Sequence, residues 1–158
     1  MPLSVNARYS ADEILAALDW AKLGGSMTST TREGAVWAPA TQCDAFFVTL
    51  RKNENEFSPQ TMYRDFALTP TLFHWESQRR TSPQSTTGLR YQNHERDGSH
   101  VLLFTRERKK DENGYAEPFI FHGTARYVEH RGERPMAVTW RLDEEMPADL
   151  FRRAAIAG

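Results

Sequence analysis

The sequence has a single cysteine, Cys43, in 158 residues, which excludes an internal disulfide and a thiolate zinc site. No apolar run approaches 18 residues, so no membrane-spanning helix is predicted. Nine Gly and eight Pro are too few for a collagen-like or Pro-rich chain. Met1-Pro2-Leu3-Ser4-Val5 lacks the basic and apolar stretches of a signal peptide. These absences predict one globular domain over residues 1–158, in a reducing cytoplasm and away from membranes.

Charge is present but unevenly placed. The net charge is −1, yet Phe57 to Lys110 holds nine Lys/Arg against five Asp/Glu. Sixteen of the twenty basic residues are Arg. Arg presents a planar fork that suits phosphate and base edges, so the bias fits a local anion-binding face; a GC-rich genome explains it equally well.

The N-terminal segment predicts a helix over residues 9–24. Ser10 and Glu13 have capping-box spacing, Tyr9 and Ile14 are placed for a hydrophobic staple, and Gly24-Gly25 supplies a stop. Ile14, Leu15, Leu18 and Leu23 form its apolar stripe. From Arg32 onward the chain reads as strands: Ala35-Val36-Trp37, Ala45 to Leu50, Val101 to Thr105, and Phe119 through Val128. Asn113-Gly114 suits a tight reversal. Met136, Val138, Trp140 and Leu142 alternate with Ala137, Thr139 and Arg141, as a half-buried strand requires. Pro147 to Arg153 reads as a short final helix. The predicted fold is α+β and mostly β: an antiparallel, partly closed, barrel-like sheet with an N-terminal and a short C-terminal helix.

Residues 57–96 hold neither a period of 2 nor of 3.6 for long. Prolines, aromatics and Arg are mixed there, a composition richer in rings than disordered chain, so the stretch is the candidate binding segment. It contains Tyr63-Arg64-Asp65-Phe66, Leu72-Phe73-His74-Trp75-Glu76-Ser77-Gln78 and Arg79-Arg80-Thr81-Ser82-Pro83. Thr87-Gly88-Leu89-Arg90-Tyr91 follows, and Gly123 to Val128 and Gly132-Glu133-Arg134-Pro135-Met136 lie further on. Together these strings resemble an uncharacterised bacterial domain family found at the C-terminus of DEAD/DEAH-type helicases that also carry a phospholipase-D-like nuclease domain. The resemblance covers about Tyr9 to Arg153. It implies contact with nucleic acid, helicase or nuclease partners, and service in restriction or phage defence. The motor and nuclease signatures themselves, a P-loop and H-x-K, are absent from this sequence.

The chemistry of the binding segment points the same way. Arg64, Arg79, Arg80 and Arg90 are candidates to track phosphates, with Thr81 and Ser82 adding hydroxyls. Trp75, Tyr63 or Tyr91 would line a base pocket, while His74 and Gln78 face the other side of the Phe73–Trp75 strand as base readers. Phe73 and Trp75 equally suit a core. The expected function is a non-catalytic DNA-binding module, DNA more than RNA, reading modified bases as one option. No catalytic residue, metal or cofactor is expected.

Two rivals stand beside that reading. Asp97 with Glu107 and Lys109 has the residue types of a metal-dependent nuclease, though basic neighbours crowd Glu107. The chain can also serve as a helicase's protein-interaction domain. His94, Asp97 and His100 match no metal-site spacing, Asn93-His94 lacks the partners of an HNH nuclease, and Cys43 is expected to be inert.

Overall fold

Ser10 opens the first helix in the way its sequence requires. In the computed structural model, its Oγ accepts from the Glu13 N–H at 3.1 Å and Glu13 Oε1 accepts from the Ser10 N–H at 2.8 Å. This capping box starts α1 (Ala11–Ala17), whose Ile14 and Leu15 are buried with Leu18 after it. The hydrogen bonds from Ser10 hold the Glu13 carboxyl below its usual range. Such a cap is worth about 1 kcal/mol. The structure describes residues 3–19, 34–50, 65–78, 81–133 and 135–155. The predicted helix over 9–24 is corrected: it ends at Ala17 with Leu18 as its cap, and Tyr9 lies in a short strand before it. Leu23 and Gly24-Gly25 lie outside the described residues, as does the connection Arg51 to Glu56.

Eight strands form one sheet among the described residues: β1 (Arg8–Tyr9), β2 (Ala35–Ala38), β3 (Cys43–Thr49), β4 (Phe66–Thr69), β5 (Leu72–Glu76), β6 (His100–Arg106), β7 (Phe119–Arg131) and β8 (Ala137–Leu142). Their spatial order is β2-β3-β6-β7-β8-β5-β4, with β1 beside the start of β7. Two further helices are α2 (Thr86–Asp97) and α3 (Ala148–Ala154). The strands predicted from β-rich runs, the Asn113-Gly114 reversal and the alternating burial of β8 are all present.

The prediction of an antiparallel, barrel-like sheet is corrected on two counts. The sheet is mixed, because β3 and β6 run parallel from Cys43↔His100 to Thr49↔Arg106. It is also open, with β2 at one end of the order and β4 at the other. The parallel pair needs a long return path between its strands, and α2 provides part of that path.

Nothing in the hydrophobic pattern announces α2, because only Gly88, Tyr91 and His94 are buried on it. A stripe of one glycine, one phenol and one imidazole carries no aliphatic period. Its ends are nonetheless specified. Ser85 Oγ accepts from the Gly88 N–H at 3.1 Å, and Gly98 closes the helix at φ 76°. Gly88 also permits close approach: a Cβ there would lie 1.9 Å from the Ser82 carbonyl oxygen.

Alternation in the central strands divides the core in two. Phe46, Val48, Val101 and Leu103 join Phe73, Trp75, Tyr91, Val138 and Trp140 on the α2 side. Ala45, Phe47, Leu102 and Phe104 join Ile14, Leu15 and Leu18 on the α1 side. β3 and β6 are therefore covered on both faces, as a parallel pair requires.

β7 changes partners along its length. Its start pairs with β1, at Arg8↔Ile120 and Tyr9↔Phe119, and its later part pairs with β8 from Ala125↔Leu142 onward. The register against β6 shifts between Leu102 and Phe104. Gly123, at φ 93°, lies in that shift and takes a backbone conformation that glycine adopts without strain.

Candidate functional site

The residues singled out in the binding segment divide by environment. Trp75 is 4% exposed and stacks on Phe46 at 4.0 Å with the planes 6° apart. Tyr91 is 2% exposed and meets Phe46, Trp75 and Trp140 edge-on. Burial drives the Tyr91 hydroxyl well above its ordinary pKa. Both rings fill the core, so the expectation that they line a base pocket is corrected: their faces are covered by protein. Phe73 is core with them.

His74 is half-buried and stacks on Phe66 at 4.8 Å, and Gln78 is half-buried. Thr81 and Ser82 are buried in the turn before α2, where Ser82 N–H donates to Ser85 Oγ. They brace the helix start instead of facing outward. Tyr63, Arg64, Arg79 and Arg80 lie outside the described residues.

Arg90 is occupied. Its Nε and Nη2 donate to Asp44 Oδ2 and Oδ1, each at 2.8 Å, and its guanidinium lies 4.2 Å from the Trp37 ring centre. Burial works to lower the Arg90 pKa, but the bonds to Asp44 outweigh it and raise the value. Asp44 itself is buried. The pair ties α2 to β3 in a bidentate geometry and leaves no free fork for a phosphate.

His94 completes the same attachment. Tyr127 N–H donates to its Nε2 at 3.1 Å, which places the proton on Nδ1, 3.3 Å from the Ser99 carbonyl. Both ring nitrogens are used, so His94 has none to offer a metal alongside Asp97 and His100.

A different group of arginines is not satisfied in this way. At the far end of β6 a cavity of about 50 Å³ with mixed polar and apolar walls is lined by Arg8, Arg106 and Arg153, from β1, β6 and α3. Thr105 and His122, only 3% and 2% exposed, also line it. Arg8↔Ile120 and Thr105↔Ile120 are direct cross-strand partners, so these side chains share one face of the sheet. Leu150 of α3 adds an apolar wall.

Arg106 is held in place by neutral oxygens. Its Nε donates to Thr49 Oγ1 at 3.0 Å, and its Nη1 to the carbonyls of Lys109 and Glu117 at 3.4 and 3.5 Å. The guanidinium lies 4.4 Å from the Phe119 ring centre. Burial lowers its pKa, with the charge of Glu117 opposing that shift. Among the described residues no carboxylate hydrogen-bonds to Arg106, and Nη2 is left over from its five N–H donors. Arg8 and Arg153 are exposed and make no ion pair with the described residues.

Glu107 and Glu117 also line the cavity. Glu117 Oε2 is already taken by the Arg108 N–H at 2.7 Å. His122 Nε2 lies 2.6 Å from Thr105 Oγ1, while its Nδ1 is buried without a partner among the described residues. Burial lowers the His122 pKa to about 4, so the ring is neutral at pH 7. The arrangement offers one fixed guanidinium, Arg106, and two exposed ones, Arg8 and Arg153, to a small anion. Reasoning from the sequence missed it because Arg8, Arg106 and Arg153 are far apart in the chain. Thr105 and His122 were the available signal, each a polar residue inside an apolar strand run.

The geometry has a counterpart in sequence. A family described as "Domain of unknown function (DUF3427)" matches residues 3–154. The chain belongs to this family. Comparison with curated proteins returns no match. In this DUF3427 domain both the α2 attachment and the arginine-lined cavity fall within the matched residues.

The nuclease constellation does not assemble in this DUF3427 domain. Asp97 ends α2 just before β6, and Glu107 and Lys109 follow its other end. β6 has seven residues, which separates the two sides by about 23 Å at roughly 3.3 Å per residue. Two carboxylates that far apart cannot share a metal. Cys43 is buried, and burial pushes its thiol up, away from the thiolate needed for nucleophilic chemistry. No helix among the described residues is long and apolar enough to cross a membrane.

Proposed function

We propose that this chain is a non-catalytic nucleic-acid-binding module, DNA more than RNA, accessory to helicase or nuclease modules in restriction or phage defence. The convergence of Arg8, Arg106 and Arg153 on one cavity, without hydrogen-bonded carboxylates among the described residues, carries this reading. Exposed Arg108 and Arg152 adjoin the lining residues Glu107 and Arg153 in sequence. The resemblance to helicase-borne domains supports the partner class. Recognition of a modified base loses the support of Trp75 and Tyr91, and Tyr63 is the remaining ring of that idea.

Binding to a duplex DNA should weaken with salt at a log–log slope of about −0.9 for each phosphate neutralised, the one seated in the cavity included. The double variant Arg8→Gln/Arg153→Gln should flatten that slope by about one unit. Fluorescence anisotropy at several salt concentrations measures both. A slope near zero, or one unchanged by the double variant, removes this cavity from the interface.

A further inference from the structure

We infer that the cavity beside β6 receives the terminal phosphate of a nucleic-acid strand, the monoester at a strand end, in preference to an internal phosphodiester. This rests on the nucleic-acid reading above and narrows it to one part of the ligand.

The first argument is depth. Thr105 and His122 line the cavity and are each almost fully buried, so a ligand that reaches them enters a recess. An internal phosphodiester has a sugar on each side and presents two non-bridging oxygens. A terminal phosphate has a single tether and presents three. A cavity of about 50 Å³ admits a small anion and is only a few times the minimum of about 10–15 Å³ that one water needs. A base does not fit.

The second argument is donor count. Nη2 of Arg106 has no partner among the described residues, and Arg8 and Arg153 flank the entrance from separate elements. With Thr105 giving its hydroxyl proton to Nε2, the neutral His122 ring carries its proton on Nδ1, which is buried without a partner among the described residues. That tautomer satisfies the Thr105–His122 bond.

Charge provides the third argument. A phosphate monoester carries about −1.5 to −2 at pH 7, whereas a phosphodiester carries a single charge. Three arginines meet two glutamates around the cavity, and one of those glutamates, Glu117, already accepts a backbone N–H. The balance is one net positive charge, which attracts the more highly charged group more strongly.

The test uses oligonucleotides of one sequence with a phosphate at the 5′ end, at the 3′ end, or at neither, and inorganic phosphate as a fourth probe. A phosphate-ended strand should bind at least tenfold more tightly than the hydroxyl-ended strand and than inorganic phosphate. Arg8→Gln/Arg153→Gln, two exposed positions, should abolish that difference while the chain keeps its circular dichroism and melting temperature. The His122 ring resonances should shift when the phosphate-ended strand is added. Equal, salt-sensitive binding of all strands overturns the inference and leaves the module a nucleic-acid binder. Binding of inorganic phosphate as tight as that of the strand overturns it in favour of a free-phosphate site. Failure of every strand to bind overturns both readings.

Discussion

Two regions on the same sheet use the same residue types and differ in how completely those residues are paired. Beneath α2, Arg90 spends two N–H donors on Asp44, and both nitrogens of His94 meet backbone groups. At the other end of β6, Arg8 and Arg153 have no ion pair with the described residues, and His122 keeps one ring nitrogen unpartnered among them. A guanidinium in the first setting fastens a helix; in the second it remains available to a ligand. Residue type alone does not separate the two cases. The accounting of donors and acceptors does.

The largest effect that sharpens this contrast is on the α2 side. Trp75→Ala removes a ring stacked on Phe46 and should cost about 3–5 kcal/mol of folding stability. Urea unfolding measures it, and at concentrations where the variant is folded its affinity for DNA should equal that of the unaltered chain. A stable variant with impaired binding would return Trp75 to the ligand site.

A smaller effect belongs to His122. Its pKa is lowered from 6.5 to about 4 by burial, so the unfolded chain binds the extra proton first as pH falls. Stability contributed by the neutral ring is complete above about pH 6.5 and is lost progressively down to about pH 4. The loss is roughly 3 kcal/mol, taking about 1.4 kcal/mol per unit. Unfolding midpoints across that range should fall in the unaltered chain and fall less in His122→Gln. Parallel pH profiles would show that the imidazole is not the group responsible.

The smallest effect is the most diagnostic of an unpaired cation. Arg153→Gln should change folding stability by no more than about 0.5 kcal/mol, since an exposed side chain without an ion pair contributes little to the fold. A thermal melt that drops by many degrees would show that Arg153 is structural, as Arg90 is.

The parts of this fold that were legible in the sequence are those with local rules. Ser10 and Glu13 sit at capping-box spacing and form one. Met136, Val138, Trp140 and Leu142 are buried as their alternation requires. Pro147 precedes the last helix directly. α2 escaped because its buried stripe is Gly88, Tyr91 and His94, although Ser85 and Gly98 mark its two ends. The missing helix then led to the wrong sheet type, because without a return path β3 and β6 cannot be parallel. The arginine-lined cavity has no local rule at all. Its cations come from three elements that only the tertiary structure brings together, and the density of Arg in residues 57–96 drew attention elsewhere.

The parallel pairing of β3 with β6 also sets an order of events during synthesis. Thr49 and Arg106 are partners 57 positions apart in the chain. β2 and β3 can close as a local hairpin as soon as both have left the ribosome, but the other edge of β3 must wait for β6. At about 5–20 residues per second, that wait lasts several seconds, with Phe46 and Phe47 at the uncovered edge. Long-range pairing of this kind is intrinsically slow. A strand that ends up interior to the finished sheet is thus open to capture by other chains while the protein is being made.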